Sequence, residues 1–257
     1  MKYREVRFED LDQIFEMYRE RLNFEMSKSC YDYFYNVYGV YCSRVLDVSG
    51  RIVAHNALIP RSYEIDGFEK KIRLSSGGMA SPDFQGAFFM LLKQEFSEFS
   101  TEGIIAFPNR SSLPFFRDIF GFNVIEHNYF SVSSRDFRPV ATKGIPQRLR
   151  RPESYLTPRL SNNPMHQYKV ISDGRNQLHY KTYKESVDIV YVENYDASFP
   201  SILQKLFNLG FEKANIIHWN ETFLETFGFK RSQNNSFVWK RIGIQPFECQ
   251  MIDSDVF

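Results

Sequence analysis

Residues 75–94, SSGGMASPDFQGAFFMLLKQ, read as a strand, a tight turn and a helix. Gly77-Gly78 falls where the strand ends and Pro82-Asp83 starts the turn. Gln85-Gly86 then opens onto Phe88, Phe89, Leu91 and Leu92 at helical spacing. The first N–H groups of a helix lack partners inside it, and the helix dipole adds roughly half a positive charge there. Such a place suits a phosphate. Loops of this kind usually carry several glycines, and here only Gly86 follows the turn. The residues therefore read either as a phosphate cradle, through the amides of Gln85, Gly86, Ala87 and Phe88, or as an ordinary strand-to-helix corner.

Other chemistry-bearing residues are scattered. His55 stands beside Asn56 on the strand-like RIVAHNAL and reads as a base, a water-holder or a structural side chain. Glu126 and His127 are adjacent, but neighbouring strand residues point to opposite faces. His218 falls in the second half. Ser, His and Asp are not placed as a nucleophile set. Cys30, Cys42 and Cys249 show neither metal-ligand spacing nor a disulfide framework, so no metal and a reduced cytoplasm are expected. Asn109, after Pro108, suits a turn or a grip on an amide-bearing ligand. Tyr31, Tyr33, Tyr35 and Tyr38 suit stacking on a ring or packing in a core. Arg148, Arg150, Arg151 and Arg159 could meet a diphosphate or simply be solvated.

The elements that must position these residues follow from pattern. KYREVRF alternates like a first strand, and Leu11, Ile14, Phe15, Tyr18 and Leu22 repeat at helical spacing. Two hairpins turn at Ser49-Gly50 and Asp66-Gly67. A helix over 88–100 leads to the apolar strand 103–107, which a crossover makes a parallel neighbour of strand 72–80. Pro114 starts a helix that stops at Gly121, and FNVIEHNYFSV closes the unit. Residues 146–164 lack periodicity and read as a linker. Strands and helices then return, and the halves match. Ile104-Ile105, Asn109 and Phe120-Gly121-Phe122 correspond to Ile216-Ile217, Asn220 and Phe227-Gly228-Phe229.

Composition narrows the class. The 257 residues carry 32 basic and 31 acidic side chains, a net charge of +1, which argues against nucleic acid as the partner. No apolar run reaches the roughly 18 residues of a membrane span, and the charged, alternating start is not a secretory signal. Aromatic residues make up 17%, with 26 Phe; these are expected to fill core positions that Leu fills elsewhere.

The residue order MASPDFQG–helix–GIIAFPNRSSLPFFRDIFGF resembles the GNAT superfamily of acyl-CoA-dependent N-acyltransferases. There a strand ends in a Pro-x-(Tyr/Phe)-(Gln/Arg)-Gly turn whose amides bind the pyrophosphate of coenzyme A. Pro82, Phe84, Gln85, Gly86, Asn109, Gly121 and Phe122 match, and the likeness covers residues 1–132. The second half resembles the same fold without the turn. The resemblance implies an α/β (α+β) fold of two tandem GNAT-like units, each a mixed, mostly antiparallel sheet flanked by helices. The boundaries expected are 1–145 with the acyl-CoA site, a linker at 146–165, and a degenerate unit at 166–257.

The resemblance also implies roles. Gly78, Met79, Ala80, Gln85, Gly86, Ala87, Phe88 and Asn109 would hold acyl-CoA, the co-substrate. The N–H near Met79 would serve the oxyanion, and Asn109 a pantetheine amide. His55 would be a base or water-holder, and Tyr31, Tyr35, Asn56 and Arg61 would line the acceptor cleft. The FPN…FFRDIFGF variant resembles members that acylate amino sugars for surface polysaccharides such as lipopolysaccharide. A small-molecule acceptor is thus implied, an amino sugar possibly linked to dTDP or UDP. Two departures stand out. The turn is about two residues short, and Arg117 occupies the place of a Tyr that protonates the leaving thiolate. The alternatives are a GNAT-like scaffold without turnover, and a Fem-like aminoacyl-tRNA-dependent transferase, which the near-zero net charge disfavours.

Overall fold

Two-residue turns at Ser49-Gly50 and Asp66-Gly67 organise the first sheet. All four residues have positive φ, 53° and 89° in the first turn and 52° and 83° in the second, the backbone that lets tight hairpins follow strand twist. The computed structural model describes residues 1–37, 40–84, 86–242 and 248–253, without the side chains of 37, 126–128 and 233–235. The chain divides into two compact units.

Unit 1 comprises residues 1–62, 70–123 and 238–243. It contains β1 (Lys2–Glu5), α1 (Leu11–Leu22), α2 (Lys28–Tyr35), β2 (Asn36–Val37), β3 (Val40–Tyr41), β4 (Ser43–Val48), most of β5 (Arg51–Ile65), most of β6 (Phe68–Ala80), α3 (Ala87–Glu98) and β7 (Gly103–Ala106), the hairpin tip at 63–69 belonging to unit 2. The sheet order is β1-β4-β5-β6-β7, with β6 and β7 parallel across the α3 crossover. α1 buries Leu11, Ile14, Met17 and Tyr18, one stripe of an amphipathic helix. Ser27 caps α2 by accepting from the Cys30 amide at 3.2 Å. α3 buries Ala87, Leu91, Leu92 and, in line with them, the carboxylic acid Glu95.

Unit 2 comprises residues 63–69, 124–237 and 244–257. It holds β8 (Asn123–Ser133), β9 (Leu149–Arg150), α4 (Glu153–Ser161), β10 (Lys169–Ser172), β11 (Gln177–Tyr183), β12 (Ser186–Val192), α5 (Phe199–Phe207), β13 (Lys213–His218), α6 (Glu221–Glu225) and most of β14 (Lys230–Lys240). Its order is β8-β13-β12-β11-β10, with β12 and β13 parallel across α5. Phe130, Phe199, Phe227, Phe229 and Phe237 are fully buried here, so phenylalanine does fill the core.

The two units repeat one plan: strand, crossover helix, parallel strand, short helix or turn, closing strand. The closing strands are exchanged, however. β8 was expected to close the first unit, yet it runs antiparallel to β13 in unit 2. Residues 238–240 of β14 instead pair with β7 in unit 1. Both closing strands leave equivalent Phe-Gly-Phe corners, so either can meet the same kind of open edge at little cost.

The unit boundaries consequently differ from 145 and 166. The expected linker is ordered, because β9 pairs with the tip of β5 through Glu64–Arg150 and Ile65–Leu149, and α4 follows. Three of its arginines bond within unit 2. Arg151 is buried and bonded to Asp253 at 2.8 Å, Arg148 pairs with Asp66 at 2.7 Å, and Arg159 donates to the Ile252 carbonyl. Arg151, buried with its carboxylate partner, is not offered to a diphosphate.

Candidate active site

The site is set by a fork in unit 1. Strands β6 and β7 pair from Ile72–Gly103 to Ser75–Ala106, where the register ends, while β6 continues through residues 76–80. A strand running past its parallel neighbour presents N–H and C=O groups to whatever enters the gap. Gly78, Met79 and Ala80 lie on this stretch.

Gly77 and Gly78 owe their identity to close packing inside the protein. Gly77 has φ 65°, a left-handed conformation that favours glycine. A Cβ there would collide with the Tyr18 hydroxyl and lie 2.6 Å from that of Tyr35. At Gly78 it would lie 2.6 Å from the Phe88 ring and 3.0 Å from Asn56 Oδ1.

Adjacent residues of β5 serve opposite faces of the sheet. His55 points toward α1 and α2, where it is fully buried among Tyr18, Tyr31 and Tyr35. Its Nδ1 donates to the Gly77 carbonyl at 2.9 Å, so Nε2 accepts from the Tyr31 hydroxyl, also at 2.9 Å. Burial lowers its pKa to about 4, against the opposing effect of the Gly77 bond. With both nitrogens committed, His55 has no lone pair for an incoming amine. It holds the carbonyl of the left-handed Gly77 in place. Tyr31 and Tyr35, expected to touch the acceptor, are likewise buried, the Tyr35 hydroxyl meeting that of Tyr18 at 2.8 Å. On the other face, Asn56 donates to Glu95 Oε2 at 2.7 Å. Arg61 is half-buried on β5.

The turn that starts α3 is open at Gly86. Gly86 is the left-handed N-cap of the twelve-residue α3, with φ 80°, and a Cβ there would meet nothing within 4 Å. Arg51 supplies a cation beside it, bonded to Asp83 at 2.7 Å and Ser81 Oγ at 3.2 Å. The Ala87 amide donates to the Phe84 carbonyl at 3.2 Å and is thereby committed to the turn. Gln85 and the Glu126–His127 side chains lie outside the described residues.

Asn109 is a turn-former. Its Oδ1 accepts from the amides of Ser111 and Ser112, both at 3.0 Å. Asn220, its counterpart, does the same for Phe223 at 3.0 Å. Arg117 is exposed and paired with Asp118 at 2.6 Å. Among the described residues no group of three or more His, Cys, Asp or Glu is placed to hold a metal. No described helix is long and apolar enough to cross a membrane.

Unit 2 has its own fork, and the chain fills it. The β12–β13 register ends at Ile189–Ile216, while β12 continues to Val192. Glu193 N bonds to Gln177 of β11, so the groups of Val192 point the other way, toward β13. There Gln250 Oε1 accepts from Val192 N at 2.7 Å and its Nε2 donates to Val192 O at 3.0 Å. Among the described residues no side chain does this for Met79 or Ala80.

Sequence reading missed Arg51, Glu95 and Gln250. The hairpin pattern could have placed Arg51 near the turn, and Glu95 could have been flagged as an acid on an apolar helical stripe. Nothing in the sequence pointed to Gln250.

No protein-family model and no curated protein matches the sequence. Solved structures do. The chain resembles a GCN5-related N-acetyltransferase from Anabaena variabilis, with TM-score 0.71 and 12% identity over 93% of this chain and 72% of that one. It resembles a probable N-acyltransferase from Enterococcus faecalis, with TM-score 0.69 and 12% identity over 95% and 73%. It also resembles the GCN5-related glucosamine N-acetyltransferase region of a fungal multi-domain GH3 β-N-acetylglucosaminidase, with TM-score 0.56 and 13% identity over 93% and 38%. The fold is therefore of the GNAT type: two mixed sheets flanked by helices, as tandem GNAT-like units.

Proposed function

We propose that the protein is an acyl-CoA-dependent N-acyltransferase that uses unit 1 and moves an acyl group to the amine of an amino sugar, free or nucleotide-linked. The observation that carries this reading is the β6–β7 fork leading into the open Gly86 turn at the start of α3. The structural neighbours named as N-acetyltransferases support it. The amino-sugar acceptor is supported by the glucosamine N-acetyltransferase region among them.

The chemistry needs little from side chains. An amine that titrates near 8 is partly neutral at cellular pH, so its lone pair can attack a thioester without a strong base. The β6 backbone past Ser75 supplies N–H donors for the oxyanion. A thiol of pKa about 8.5 leaves as its thiolate without a dedicated acid, and the proton the amine loses passes to that thiolate or to solvent. His55 then keeps the strand edge in shape rather than taking the proton. The Gly86 turn and Arg51 hold the pyrophosphate. A cytoplasmic location accords with acyl-CoA as donor.

A second reading, a GNAT-like binding protein without turnover, is favoured by Arg117, which is exposed and paired with Asp118 where a proton-donating Tyr would stand. Amine-dependent release of free thiol decides between them. Acetyl-CoA should be mixed with glucosamine and with dTDP- and UDP-linked amino sugars. Thiol release that requires an amine supports the transferase. Coenzyme A binding in calorimetry with no release for any amine supports the binding protein. Absence of binding defeats both.

A further inference from the structure

The α3 face of the fork carries a polar cluster that neither the turn nor the tyrosine cage uses. Asn56 is 1% exposed and Glu95 is fully buried. The Asn56 amide donates to Glu95 Oε2 at 2.7 Å and to Ser75 Oγ at 3.2 Å. The Ser75 hydroxyl also lies 3.3 Å from Asn56 Oδ1. Ser75 belongs to the last β6–β7 rung. Three residues farther on, Asn56 Oδ1 lies so close to Gly78 that a Cβ there would come within 3.0 Å of it. One amide therefore touches β6 both at the point where the fork opens and beyond it.

Glu95 is an expensive way to hold that amide. It occupies a helical stripe with Ala87, Leu91 and Leu92, a setting that suits leucine. Its Oε1 has no hydrogen-bond partner among the described residues, and a buried polar atom left so normally loses stability. The charged and titratable groups facing it are Arg44 on β4, Glu98 on α3 and Tyr3 on β1. Arg44 already pairs with Glu98 at 2.9 Å. Burial pushes the Glu95 carboxyl up to about 8, partly offset by the Asn56 hydrogen bond and by Arg44.

We propose that Glu95 is a positioning residue for the acyl-CoA arm, setting through Asn56 the backbone of β6 from Ser75 to Gly78 along which the thioester lies. This rests on the reading of unit 1 as the acyl-CoA site. The carboxyl carbonyl accepts from the Asn56 amide, which leaves the Asn56 oxygen turned toward Ser75 and Gly78. Ionisation replaces that neutral acceptor with a buried charge, and the local arrangement must yield to solvate it. The strand edge is thus correct while the acid keeps its proton.

The test compares the wild type with Glu95→Gln and Glu95→Leu by coenzyme A calorimetry and by the KM for acyl-CoA, from about pH 6 to about pH 9. Glutamine has the shape of the protonated acid. It should bind like the wild type at neutral pH, and the wild-type-to-glutamine affinity ratio should fall as pH rises through about 8. Leucine should fold with equal or higher thermal stability, yet raise KM about tenfold, the worth of one lost hydrogen bond, with a smaller change in kcat. A glutamine variant that follows the wild-type pH profile overturns the proposal. So does a folded leucine variant with unchanged KM. If the leucine variant does not fold, the glutamine ratio alone decides. A wild type that fails to bind coenzyme A overturns the reading of unit 1 and this inference together.

Discussion

The two forks are built alike and finished differently. In unit 1, β6 outruns β7 beyond Ser75–Ala106; in unit 2, β12 outruns β13 beyond Ile189–Ile216. The second gap is closed from within by the Gln250 amide on Val192. The first gap ends at an open glycine turn with an arginine beside it. Features shared by both units report on folding. Asn109 and Asn220 cap the same turn in each, although only unit 1 has the glycine turn. Among the described residues the Gly86 turn, Arg51 and the Asn56–Glu95 pair belong to unit 1, and the proposed function rests on them.

This contrast can be broken by experiment, and the largest effect is expected in unit 2. The segment that fills its fork is anchored by Arg151 and Asp253, whose side chains are 1% and 0% exposed. Asp253→Ala leaves a buried guanidinium unpaired and should cost roughly 3–5 kcal/mol in urea unfolding. A loss within experimental error would show that the segment does not hold unit 2 together.

The next effect is in unit 1 and depends on pH. His55 takes up a proton near 6.5 when unfolded but only near 4 when folded. Its contribution is present above about 6.5 and is lost as pH falls toward about 4, at up to ~1.4 kcal/mol per pH unit. His55→Gln should lack that slope. An identical slope in the variant would remove His55 from the acid sensitivity.

Gln250→Leu should cost about 2 kcal/mol, since it leaves the Val192 N–H and C=O without their partner. Coenzyme A should still bind once per chain, because α5 begins with Phe199-Pro200 and offers no open glycine turn. Two sites per chain in calorimetry would end the contrast between the forks. The smallest effect is Gly86→Ala. Its Cβ has room, so only the positive φ is strained, at about 1 kcal/mol. Coenzyme A affinity should fall by about tenfold or less. Unchanged affinity would place the pyrophosphate elsewhere.

Much of this was legible before the fold was seen. Ser49-Gly50 and Asp66-Gly67 announce hairpins because few residue pairs tolerate positive φ in succession, and helical spacing from Leu11 to Tyr18 locates α1. The parallel neighbours β6 and β7 follow from the crossover rule. The site was less legible. His55, Tyr31 and Tyr35 have the right chemical types, but a sequence does not say whether a lone pair is already spent on an internal partner. Arg151 looked like a solvated linker charge because its partner, Asp253, lies far along the chain. The strand exchange was invisible because two copies of one corner accept either closing strand equally well.

That exchange has a consequence for how the protein is made. The fully buried residues of β7 meet their antiparallel partners only at Val238, Trp239 and Lys240. A ribosome adding about 5–20 residues per second needs roughly 6–26 s to travel the roughly 130 residues between them. For that interval the edge of β7 is open to β8, the equivalent closing strand that is made first and is not its final neighbour. A fragment ending at residue 122, before β8, should keep that bare edge permanently and precipitate.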